Sequence, residues 1–168
     1  MNTKIGKPER ASQDRVIKLF QTELGYTYLG DWEEEVRTQA IEEGILKDYL
    51  LGKGYSAIQA QKAIDKLVKA ANNLSSGLYL ANKEVYHLLR YGVTVREELG
   101  QPKETVWLID WKNPESNQFA VAEEVTVQGK RTKRPDVVIY VNGISLGVIE
   151  LKRSKVSIEQ GIRQNLDN

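Results

Sequence analysis

The 168-residue chain contains no cysteine, one histidine, one methionine and four prolines. Without cysteine there is no disulfide framework and no thiolate metal site, which fits a reducing compartment. No run approaches the ~20 apolar residues of a membrane helix, and Met1-Asn2-Thr3-Lys4 is not followed by the apolar segment of a signal peptide. The expectation is a cytoplasmic protein with no membrane partner. The sequence has no Walker loop, so no ATP site of that kind, and no internal repeat or low-complexity linker.

What is present is ordinary globular composition, 40% hydrophobic and 28% charged, enough for a sizeable core. The net charge of +1 conceals an uneven distribution. Lys130, Arg131, Lys133, Arg134, Lys152, Arg153 and Lys155 crowd a segment whose only acids are Asp136 and Glu150. Asp31, Glu33, Glu34, Glu35, Glu42 and Glu43 crowd another whose only base is Arg37. A basic cluster bracketing an acid pair suits a polyanionic substrate, although such a run alone also describes a solvated loop.

Hydrophobic periodicity divides the chain. A helix opens at Pro8-Glu9-Arg10 and stops near Leu24-Gly25. Tyr26–Leu29 is extended. Asp31-Trp32-Glu33-Glu34 has capping-box form and predicts a helix running to about Leu51. Ser56 caps a third helix, and a fourth runs from Leu78 or Asn82 to Arg90, stopped by Gly92. Strands then dominate: 93–98, 104–111, 119–128 and a hairpin turning at Asn142-Gly143, followed by a helix over 158–167. The expected class is α+β (α/β), a mixed or antiparallel-leaning sheet flanked by helices. Residues 1–75 form a helical part and 76–168 a core, packed as one domain. The chain stops inside an amphipathic helix, which predicts a fragment of something longer.

The hairpin carries the chemistry. Asp136 opens its first strand and Glu150-Leu151-Lys152 closes its second, charges whose burial is costly unless they pair, bind metal or react. Glu150 and Lys152 share a face by strand alternation. A regular two-residue turn would set Asp136 and Glu150 on opposite faces. A three-residue loop or a β-bulge would set them side by side, and one of these is the expectation.

Pro135-Asp136 followed by Glu150-Leu151-Lys152 resembles the PD-(D/E)xK nuclease pattern. The longer segments Asn82–Val93, Leu108–Pro114 with Asn117-Gln118-Phe119, Arg134–Asp136, Val148–Lys152 and Gly161–Leu166 resemble the N-terminal nuclease domain of the R (restriction and DNA-translocating) subunit of type I restriction-modification enzymes. The likeness is close over 76–168; over 1–75 it is helical texture alone. It implies a restriction-endonuclease-like core with an N-terminal helical region and Mg²⁺-dependent cleavage of double-stranded DNA. Asp136, Glu150 and the Leu151 backbone carbonyl would be metal ligands and Lys152 the catalytic lysine. It also implies an ATP-driven motor elsewhere in the protein, and methyltransferase (M) and specificity (S) subunits as partners. Gln164 stands where the family's Gln-x-x-x-Tyr motif begins, implying a catalytic and DNA-contacting role, but Asn168 replaces the tyrosine.

Around this centre, Lys130, Arg131, Lys133 and Arg134 are the phosphate contacts expected. Glu84 on the fourth helix is either a further metal-site acid or a solvated one. His87 is either a ligand or a packed histidine, and either Glu123 or Glu124 points to the active face or its rim. Trp107 and Trp111, four apart and so on one strand face, read as core and rim packing rather than base stacking, and Asp110 with Asn113-Pro114 as turn chemistry. The competing functions are a nuclease-fold module that binds nucleic acid or a partner without cleaving, and a recombination or repair nuclease of the same fold.

Overall fold

The structure, a computed structural model, describes residues 7–128 and 132–151. Along the chain lie helix α1 (Lys7–Thr22), strand β1 (Thr27–Asp31), helices α2 (Glu43–Gly52), α3 (Ala57–Ala71) and α4 (Leu78–Tyr91), and strands β2 (Val93–Val95), β3 (Glu104–Val106), β4 (Phe119–Glu123), β5 (Val127–Gln128), β6 (Thr132–Lys133), β7 (Val137–Val141) and β8 (Ile144–Ile149). This is the α+β class expected. None of the described helices is long and apolar enough to cross a membrane.

Two compact units interleave in sequence. Unit 1 gathers Met1–Ala40, Phe119–Tyr140 and Ser145–Asn168; unit 2 gathers Ile41–Gln118 and Val141–Ile144. Residue 75, the boundary read from the sequence, falls inside unit 2.

Unit 1 is built on a four-stranded mixed sheet of order β1-β4-β7-β8. β1 runs parallel to β4, pairing Asp31 with Glu123. β4 and β7 are antiparallel: Glu124 N–H donates to the Asp136 carbonyl (3.0 Å) and Asn142 N–H to the Gln118 carbonyl (2.8 Å). Alternation then divides the side chains between two faces. Val121, Val137, Ile139 and Ile149 pack with Ile17 and Phe20 of α1. Ala120, Ala122, Val138 and Tyr140 pack with Trp32.

The stretch after β1 corrects the sequence reading. The helix expected from Asp31 begins only at Glu43. Asp31 spends its carboxylate on the Glu33 N–H (3.1 Å), a local turn rather than a helix cap. The buried Trp32 continues the strand edge by donating its N–H to the Glu123 carbonyl (2.9 Å), and Arg37 bridges to Val127. Strands 93–98 and 104–111 shorten to β2 and β3, and 119–128 breaks into β4 and β5. The helix expected over 158–167 lies outside the described residues.

Unit 2 packs α2, α3 and α4 with the β2–β3 ribbon. Ser56 and Gln59 form a reciprocal capping box at the start of α3, and Ala60, Ala63, Ile64 and Leu67 bury one stripe of that helix beside Leu46, Leu50 and Leu108. α4 ends at Gly92 (φ +76), where a Cβ would stand 2.5 Å from Thr105 Cγ2. Asn142, fully buried, accepts from Gln118 N–H (2.7 Å) and donates to the Leu108 carbonyl and Asn117 Oδ1 (both 2.9 Å).

Candidate active site

The turn between β7 and β8 has two residues, Asn142 (φ +53) and Gly143 (φ +81), the conformation that Asn-Gly favours in tight hairpins. A regular ladder from that turn would oppose Gly147 to Val138 and Ile149 to Asp136. The packing differs. A Cβ on Gly147 would lie 3.5 Å from Ile139 Cβ, and Ile149 packs in the cluster of Val137 and Ile139. Both residues sit on the face a regular register denies them, so β8 carries one extra residue between the turn and Gly147, a bulge. By alternation that slip returns Glu150 to the face of Asp136. The loop is two residues rather than three, and the bulge compensates for it.

The sheet's topology gathers acids at one end. β1 and β4 finish there at Asp31 and Glu123, β7 starts there after Asp136, and β8 finishes there before Glu150. Each has its own setting. The Asp136 carboxylate accepts the backbone N–H of Leu151 through Oδ2, tying the start of β7 to the residue between Glu150 and Lys152. Its carbonyl accepts from Glu124 N–H and from Gln13 Nε2 (3.3 Å). Glu123 continues the Val121 face and so meets α1. Its carboxylate accepts from Gln13 Nε2 (3.0 Å), Arg10 (3.2 Å) and the Tyr28 hydroxyl (2.5 Å). Glu124 turns out of the strand at φ +52 and accepts from Gln13 Nε2 (2.9 Å) and Arg134 Nε (3.0 Å).

Glu123 and Glu124 are only 4% and 2% exposed, so these partners stand in for water. Burial raises the Glu124 carboxyl above its ordinary pKa; Gln13 and Arg134 oppose that shift, and Asp136 and Asp31 add to it. Burial first, then the hydrogen bond and charge of Glu123, raise the Tyr28 phenol.

Of the other expected site residues, Arg134 is committed to Glu124 and to Glu33, and Lys133 is exposed on β6. Lys130, Arg131, Lys152 and Gln164 lie outside the described residues. Glu84 and His87 are exposed on α4, in unit 2; the His87 ring meets Tyr86 edge-on and Tyr91 at a tilt. Asp110 performs the turn chemistry expected of it, accepting from Lys112 N–H, Asn113 N–H, the Ser116 hydroxyl and Lys53. Among the described residues, no set of three or more His, Cys, Asp or Glu converges to hold a metal ion by itself. Asp136, Glu150 and the Leu151 carbonyl remain a hard-oxygen donor set of the kind Mg²⁺ takes together with retained waters.

Gln13 is the residue that sequence reasoning missed. Its signal was available: it sits four and seven positions before Ile17 and Phe20, on the buried stripe of α1, where a polar side chain must find partners.

Residues 7–168 match the protein family described as type I restriction enzyme R protein N terminus. The chain is 29% identical over 153 residues to a putative type I restriction enzyme MjaVIIIP endonuclease subunit of Methanocaldococcus jannaschii, covering 84% of this chain and 14% of that protein. It is 28% identical over 144 residues to the putative MjaIXP endonuclease subunit of the same organism, covering 79% and 14%. It is 34% identical over 97 residues to the type I restriction enzyme HindI endonuclease subunit of Haemophilus influenzae, covering 55% and 9%. The chain thus spans a small part of the length of each of these relatives.

Proposed function

Because the chain belongs to the family of type I restriction enzyme R protein N termini, we propose that unit 1 is its DNA endonuclease module, hydrolysing phosphodiester bonds with Mg²⁺. The observation that carries this reading is the packing of Gly147 and Ile149 on the face of Ile139 and Val137, from which alternation sets Glu150 on the face of Asp136, together with the Leu151 N–H that donates to the Asp136 carboxylate. Asp136, Glu150 and the Leu151 carbonyl would hold the cation, whose chemistry there would be to polarise the phosphate and lower the pKa of a bound water. Lys152, two residues after Glu150 in the sequence, would orient or deprotonate the attacking water and offset charge on the phosphate. Gln13 and Glu124 fix the Asp136 backbone through its carbonyl, and Lys130, Arg131 and Lys133 with Gln164 hold the DNA backbone. In the whole protein an ATP-driven motor delivers double-stranded DNA to this module, in a complex with methyltransferase and specificity subunits.

The test uses the full-length R subunit with those partners, ATP, Mg²⁺ and plasmid DNA. Asp136→Ala and Glu150→Ala each abolish cleavage while ATP hydrolysis and the circular dichroism spectrum stay at wild-type values. Normal cutting by either variant sinks the catalytic reading and leaves a non-cleaving module of nuclease fold. Cleavage that needs neither partner subunit points to a repair or recombination nuclease instead.

A further inference from the structure

Unit 2 contains a cleft of about 450 Å³, within the size range of small-molecule and nucleotide sites. Its walls include Tyr49, Tyr91, Trp107 and Trp111, with Lys53 and Arg90 among them. Trp107, Trp111 and Tyr91 are 43%, 47% and 60% exposed, so a large aromatic surface stays in water around one concavity rather than closing into a core.

Trp111 and Tyr49 are hydrogen-bonded through their side chains, and Trp107 is anchored through its backbone. The Trp111 indole N–H donates to the Leu89 carbonyl (2.8 Å), and the Arg90 guanidinium lies 5.5 Å from the Trp111 ring centroid. The Trp107 backbone N–H donates to the Tyr55 hydroxyl (3.0 Å), and Lys53 lies 5.5 Å from the Tyr49 ring. A ligand that stacks here meets a platform already ordered, at little entropic cost.

Charge narrows the ligand class. Lys112 adds a third cation to the lining, and the lone acid there, Asp110, is already bonded by Asn113, Lys112, Ser116 and Lys53. With one acid, the cleft has no donor set for a divalent cation. With no glycine in its lining, it lacks the amide cradle that grips a polyphosphate. Rings flanked by separate cations suit one aromatic base and the single charge of a phosphodiester.

We propose that this cleft binds a nucleotide of a single-stranded nucleic acid, the base stacked on Trp107 and Trp111 and the backbone phosphate drawn by Arg90, while Lys53 stays paired with Asp110 and Ser116. A base inside a duplex presents only its edges, so the strand must be unpaired or the base turned out. The site lies in unit 2, apart in sequence from Asp136 and Glu150, and its binding does not depend on cleavage.

The experiment uses the 168-residue chain in EDTA, with a labelled oligothymidylate of about ten nucleotides as probe. Anisotropy measures affinity. Intrinsic fluorescence locates the contact, since the remaining tryptophan, Trp32, is buried in unit 1. The oligonucleotide quenches tryptophan emission, and Trp107→Leu and Arg90→Ala each weaken binding about tenfold. Trp107→Phe keeps most of the affinity. A duplex of equal length and free thymidine monophosphate bind far more weakly. The proposal falls if the oligonucleotide does not quench, if Trp107→Leu binds it unchanged with a wild-type circular dichroism spectrum, or if duplex or monophosphate competes equally. It also falls if Trp107→Leu abolishes binding of a partner subunit and leaves oligonucleotide binding intact, which would assign the cleft to a protein.

Discussion

Replacing Gln13 with leucine tests the buried network most directly. One carboxamide nitrogen serves Glu123 Oε2 at 3.0 Å, Glu124 Oε1 at 2.9 Å and the Asp136 carbonyl at 3.3 Å. The carbonyl keeps a second donor, Glu124 N–H. The two carboxylates, each under 5% exposed, cannot draw on bulk water. A hydrogen bond to a charged group contributes roughly 1.5–3 kcal/mol. Losing two costs about 3–6 kcal/mol, a large share of the ~5–15 kcal/mol that holds a domain together. The loss depends on pH with a definite sign. Burial already places the Glu124 carboxyl above its ordinary pKa, and removing Gln13, which opposes that shift, raises it further. A carboxyl raised in the folded state favours the protonated fold. Its contribution is therefore intact at low pH and lost as pH rises through the folded pKa. Urea unfolding followed by far-ultraviolet circular dichroism at about pH 5 and about pH 8 should show the larger deficit at the higher pH. Gln13→Glu, which sets a third carboxylate among the others, should fall further at about pH 8. A cost below about 1 kcal/mol at the higher pH, or a cost independent of pH, would refute the reasoning.

Two further outcomes follow from unit 2. Gly92→Ala forces a φ of +76 on an L side chain and drives its Cβ to 2.5 Å from Thr105 Cγ2; it should cost about 2 kcal/mol or more, and a thermal midpoint equal to wild type would contradict it. Asp110 is held below the ordinary carboxyl range, first by the Asn113 N–H and then by Ser116 and Lys53. A lowered carboxyl contributes stability above its unfolded pKa of ~3.9 and loses it as pH falls, so Asp110→Asn should lower the melting temperature at neutral pH, by a margin that shrinks below about pH 4.

Much of the architecture was legible because it is written locally. The Ser56 cap, the glycine stop of α4 and the Asn142-Gly143 turn each follow from residues a few positions apart. So does the placing of Asp136 and Glu150 at strand ends. What stayed hidden depends on partners distant in sequence. Asp31-Trp32-Glu33-Glu34 spells a helix start, yet Trp32 is claimed by Glu123, some ninety residues on. The strand pattern points one of Glu123 and Glu124 to the active face or its rim, but does not show that both are buried. Only the arrival of Arg10, Gln13 and Arg134 from other elements makes their burial tolerable. The Trp107–Trp111 spacing suggested a strand face, but β3 ends at Val106 and both rings line the cleft instead.

The extra residue in β8 also sets a rule for length variation. Between the turn and Glu150, gaining or losing one residue would swing that acid to the far side of the sheet, whereas a change of two would restore it one pleat further along. Relatives of this chain should therefore tolerate paired insertions in the hairpin and resist single ones, unless the turn itself lengthens by one to compensate.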